Sequence, residues 1–197
     1  MIPLDDVAMG RLARSWMLRA KQHDVHFYRH SLHLGELARG FCNFLHFSVE
    51  DTKRIEIAAL LHDIGKLSIP TKVLSKATSL SDEEVRLIRT HPDQGHRLLA
   101  EVEGIDELVR IVARDHHERL DGTGYPRGLL ASSIPVEVRI VTLCDVFGAM
   151  TEERPYGVPM GVAEAVQRMK AKQTRLDQAL LEHFTKMIWT RALPSVE

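Results

Sequence analysis

His62-Asp63-Ile64-Gly65-Lys66 closes a largely apolar run, Ile55-Glu56-Ile57-Ala58-Ala59-Leu60-Leu61, in which Ile55, Ala58, Ala59 and Leu61 fall near helical spacing. A helix that ends on an adjacent imidazole and carboxylate brings two strong donors to one point, and the carboxylate can bridge two cations. Gly65 lets the backbone turn close to that point. Lys66 can aim an ammonium at a phosphate. Taken alone, the His-Asp pair could also be a buried hydrogen bond closing the helix end.

A second cluster stands downstream. His116-His117-Glu118 precedes Asp121-Gly122-Thr123-Gly124-Tyr125-Pro126. Neighbouring helical positions point about 100° apart, so two adjacent imidazoles reach one ion only where a helix frays. The glycine-rich loop supplies such an end. Five histidines (His30, His62, His91, His116, His117) and two aspartates (Asp63, Asp145) then fall on separate helical segments. That donor set suits a dinuclear centre for iron, manganese or a similar ion.

Outward from these clusters the chain reads as helical almost throughout. Segments are expected over about 5–22, 25–45, 49–61, 105–117, 135–151, 161–172 and 177–193. Ser48 with Asp51, and Ser81 with Glu84, are N-terminal capping patterns. Pro92 must interrupt or restart the helix that Ser81 begins. No stretch alternates long enough for a strand, and no internal repeat or low-complexity linker is present. The expectation is one all-α domain over 1–197, with the segment at about 1–22 packing on the rest.

With 26 basic and 27 acidic residues, a formal charge of −1 gives no general attraction for a nucleic acid polymer or a membrane surface. An anionic substrate must therefore be held by local charge. At 44% hydrophobic and 6% aromatic content, aliphatic side chains fill the core. No export signal or membrane span is read, and Cys42 and Cys144 form no spaced motif. A cytoplasmic protein with two buried thiols is expected.

His62 to Lys66, His116 to Glu118 and Asp121 to Pro126 together resemble the HD-GYP family of cyclic di-GMP phosphodiesterases, over essentially the whole chain. The resemblance implies an HD-type helical domain with a glycine-rich Gly124-Tyr125-Pro126 loop. It implies one ion on His30, His62, Asp63 and Asp145, and a second on bridging Asp63 with His91, His116 and His117. Asp63 and Lys66 take the catalytic roles; Lys66, Arg154 and Tyr125 are the implied substrate contacts. Diguanylate-cyclase-type proteins are implied as partners through the loop.

Three positions depart from the family pattern. Gly148 stands where a second acidic residue is usual, and Gly157 where a basic one is usual; both losses are assigned to the substrate side. His26 stands where three-metal members carry glutamate. It is the candidate ligand for a third ion, although a variable pocket-rim position is favoured. The implied activity is hydrolysis of cyclic di-GMP, or a related cyclic dinucleotide, to the linear dinucleotide and onward to GMP by a metal-activated water. The alternatives are an HD-type phosphohydrolase of another nucleotide, and a non-catalytic nucleotide- or partner-binding signalling domain.

Overall fold

The computed structural model describes residues 6–152 and 158–192. Their elements are α1 (Asp6–His23), α2 (Val25–Phe44), α3 (Val49–Leu61), a 3-10 turn at Ile64–Ser68, and α4 (Thr71–Leu74). There follow α5 (Asp82–Ile88), α6 (His91–Ala100), α7 (Glu107–Asp115), a second 3-10 turn at Ala131–Ser133, α8 (Val136–Thr151), α9 (Val162–Lys170) and α10 (Gln178–Ala192). Among the described residues there is no strand, only one antiparallel bridge between Asp121 and Leu130. The fold is all-α.

The helix starts follow from side-chain oxygens placed where the first turn leaves backbone N–H groups without partners. Ser48 accepts from the Asp51 amide to open α3, and Ser81 with Glu84 forms a reciprocal box at the start of α5. Asp24 and Asp106 do the same for α2 and α7. Pro92 restarts a helix: it lies in the first turn of α6, where its missing N–H costs nothing. The expected helix near 161–172 is shorter than its pattern suggested, ending at Lys170. The short α4 and both 3-10 turns were not expected, because segments of three to five residues carry no periodicity.

The core lies where α2, α3, α7 and α8 meet, with α1 on α2 and α3, and with α9 and α10 closing over α8. Leu34, Phe41, Ile55, Leu61, Ile140, Leu143 and Phe184 are fully buried. Phe184 of α10 meets Phe41 edge-on at 5.1 Å and Phe147 at 5.3 Å, which ties three helices together through one ring. Such edge-to-face pairs add to the burial of apolar area.

One close approach positions the site. The 3-10 turn after α3 runs against the start of α6. A Cβ on Gly65 would lie 1.9 Å from the His91 carbonyl oxygen and 2.5 Å from the Gly95 nitrogen. Only glycine lets Asp63 and His91 come within reach of each other. Gly65→Ala is therefore expected to force the turn and α6 apart, lowering stability by about 1–3 kcal/mol in urea unfolding, as overpacking commonly does.

Candidate metal centre

Seven side chains form two groups. Asp63, His91, His116 and His117 each offer a ligand atom within 4.8 Å of one another, and His30, His62 and Asp145 do likewise. Asp63 lies between them. Its Oδ1 is 3.0 Å from His91 Nε2, and its Oδ2 is 3.1 Å from His62 Nε2. The seven residues singled out in the sequence are thus brought together, from α2, the end of α3, the start of α6, the end of α7 and α8.

The helix ends explain how. α7 stops at Asp115, so His116 and His117 occupy its frayed end and their rings lie 4.1 Å apart. Beyond them the loop folds back, and a Cβ on Gly124 would lie 2.4 Å from the Glu118 Cα. The buried Glu118 carboxylate accepts from the backbone amides of Arg127 (2.6 Å) and Leu129 (2.9 Å). Arg127 in turn grips the buried Asp115. The Tyr125 ring stacks on His117 at 4.6 Å, with the exposed Arg89 guanidinium 4.7 Å over it. In this arrangement Tyr125 holds a candidate ligand in place.

Proton placement decides what the site can do. The Nδ1 atoms of His62 and His91 lie 2.7 Å from the carbonyls of Ala59 and Ile88, and that of His116 lies 3.1 Å from those of Val112 and Ala113. A carbonyl only accepts, so each Nδ1 carries a hydrogen, and the neutral form of each ring, the form that binds a metal, presents a bare lone pair at Nε2. The Nε2 atoms of His91 and His116 then face each other at 3.3 Å. His62 Nε2 and Asp63 Oδ1 are buried and have no aligned hydrogen-bond partner. Converging lone pairs of this kind repel unless a cation lies among them. The donor set fits a metal.

The charge states agree with that requirement. Burial would raise the Asp63 pKa, but the adjacent His62 imidazole and the Lys66 ammonium hold it well below the usual range. Asp145 is likewise kept ionised against burial, by its hydrogen bond to His30 and by nearby imidazoles. Burial lowers His62 and, further, His117, which keeps both rings neutral. His30 differs: burial alone would lower its pKa, but hydrogen bonds to Asp145 and Glu152 raise it to about 9.

Other expectations sort plainly. The Lys66 ammonium pairs with Asp63. His26 is exposed and belongs to neither group. His33 is exposed, 3.8 Å from Glu152. Arg154 and Gly157 lie outside the described residues. Gly148 needs correction: it is three residues past Asp145 on one helix face. A Cβ there would lie 3.6 Å from His30 Cε1, so the position borders the metal group and not only the substrate side. Sequence reasoning passed over Glu152, whose Oε2 lies 2.9 Å from His30 Nδ1, and gave Glu118 no role.

Residues 16–180 match the HD domain family. The chain is 36% identical over 172 residues to a cyclic di-GMP phosphodiesterase of Pseudomonas aeruginosa, covering 87% of this chain and 42% of that protein. It is 36% identical over 157 residues to the 3'3'-cGAMP-specific phosphodiesterase 1 of Vibrio cholerae, covering 79% of this chain and 36% of that protein. It thus spans less than half the length of either relative. The fold is similar to that of Bd1817, an HDG"Y"P protein from Bdellovibrio bacteriovorus, with a TM-score of 0.71 at 19% identity over 93% of this chain and 62% of that one. The chain belongs to the HD domain family and, within it, to the HD-GYP type.

An ion that binds only the folded protein stabilises it by about 2.7 kcal/mol at a hundredfold excess over Kd. For a chain of this size that is a rise of roughly 5–11 °C in melting temperature. Chelator-treated protein should show such a rise on adding Mn2+ in thermal denaturation. Asp63→Ala, which removes the carboxylate facing both groups, should show little or none.

Proposed function

We infer that the chain is a metal-dependent phosphodiesterase that hydrolyses cyclic di-GMP, or a related cyclic dinucleotide, to the linear dinucleotide and onward to mononucleotides. The observation that carries this reading is the set of Nε2 lone pairs on His62, His91 and His116 converging on ionised Asp63. The named activities of its relatives supply the substrate class. The seven donors would hold two ions that share Asp63, and mixed imidazole and carboxylate ligation suits iron or manganese. His26, exposed and outside both groups, is assigned no ion.

Bound divalent ions would polarise the phosphoryl oxygens and bring the pKa of a water toward neutrality. The protein's own residues do the rest. Asp63 and Asp145, kept ionised, match the positive charge of the ions. Lys66, paired with Asp63 at the edge of the site, would add positive charge beside the phosphate as negative charge builds on it. The backbone clamp by Glu118 fixes the loop, so that Tyr125 keeps His117 oriented. Arg154 is assigned a bidentate phosphate contact. Exposed Thr123, Arg127 and Leu130 on the same loop form the surface assigned to diguanylate-cyclase-type partners. The two buried thiols favour a reducing, cytoplasmic setting.

Anaerobically purified, metal-loaded protein should convert cyclic di-GMP or cyclic GMP-AMP to linear products resolved by chromatography. Turnover of non-cyclic nucleotides alone would sink the reading. Lys66→Ala should keep its metal content and lose about a hundredfold or more in rate, the scale of one electrostatic donor; loss of metal in that variant would make Lys66 structural. His26→Ala should leave the metal count by elemental analysis unchanged.

A further inference from the structure

His30 is tethered unlike the other candidate ligands whose Nδ1 contacts are described above. Where His62, His91 and His116 each give Nδ1–H to a carbonyl three or four residues back, His30 Nδ1 meets the carboxylate of Glu152, 122 positions away in sequence. The opposite nitrogen, Nε2, lies 3.1 Å from Asp145 Oδ1, on the side of the metal group. An ionised carboxylate accepts only, so both ring nitrogens carry hydrogen between Glu152 and Asp145. Nε2, on the side of the metal group, is the one that would give up its hydrogen to an ion while Glu152 keeps Nδ1–H in place.

The backbone makes room for this contact. Glu152 closes α8, one helical turn beyond Gly148. A Cβ at position 148 would stand 3.0 Å from Glu152 Oε1. That oxygen is buried without a hydrogen-bond partner, 3.8 Å from His33 Nε2. The empty space at Gly148 is what the Glu152 carboxylate occupies.

We propose that Glu152 is a positioning residue for the group formed by His30, His62 and Asp145, holding His30 through Nδ1 so that Nε2 faces the ion. The proposal rests on the reading of that group as a metal site. A carboxylate partner orients a ligating imidazole, increases its basicity and adds negative charge next to the cation. Loss of such a partner typically weakens metal affinity 10- to 100-fold.

Mn2+ titrated against a chelating dye reads the two sites directly. In Glu152→Gln, which keeps shape but removes charge, one class of site should weaken by about 10- to 100-fold while the other keeps its affinity. Gly148→Ala should weaken the same class, because the added methyl crowds the carboxylate. A purely structural effect would go the other way, since alanine is the better helix former. Unchanged affinity at both classes in Glu152→Gln, with the unmodified protein binding Mn2+, overturns the proposal and leaves the metal reading standing. Absence of Mn2+ binding by the unmodified protein overturns both. Loss of one whole ion in Glu152→Gln, with the remaining affinities intact, would make Glu152 a ligand and overturn the positioning role.

Discussion

A backbone carbonyl can accept a hydrogen bond but never donate one, and that restriction sets the proton on His62, His91 and His116. Each ring is turned by a carbonyl of its own chain, three or four residues back, so its free lone pair points at the other rings and at Asp63. At His62 Nε2 and Asp63 Oδ1 the interior is left with an electrostatic demand that no donor among the described residues meets. This constraint also dictates where the helices stop. α3 and α7 end at the site and α6 begins there, because adjacent donors such as His116 and His117 reach the same point only at a helix end.

The surroundings are built to keep those ends still. Glu118 and Asp115 are buried carboxylates, and each is satisfied by the loop that follows: one by backbone amides, the other by Arg127. Leaving either without partners in the interior would be costly. Thr142 of α8 donates to the His116 carbonyl, which attaches the helix carrying Asp145 to the end of α7.

Much of this was legible in the sequence because it is written locally. Capping residues such as Ser48 and Ser81 act within three positions, and Pro92 marks a break or a fresh start in the helical pattern. The adjacent pairs His62-Asp63 and His116-His117 announce their chemistry by spacing. Glu152 could not be read in this way: its partner is His30, 122 positions away, and its place depends on the missing side chain at Gly148. Gly148 itself reads as a lost contact until the fold shows what fills the space. Glu118 looks like one more exposed acid after a helix, and only the return of the loop turns it inward.

The two groups also join parts of the chain that no local event brings together. His30 and Asp145, in contact across the site, are 115 positions apart. Helices α2 and α3 are neighbours in sequence and can pair early, but the ring of donors is incomplete until α8 has docked against both. Contacts of such long separation are slow to form, since the intervening chain must first be ordered. A cation has little to hold on the unfolded chain or on its first helical pairs. Held between segments that meet only in the finished molecule, the proposed ions would work as a clasp that closes last, resisting the opening of the fold more than guiding its assembly.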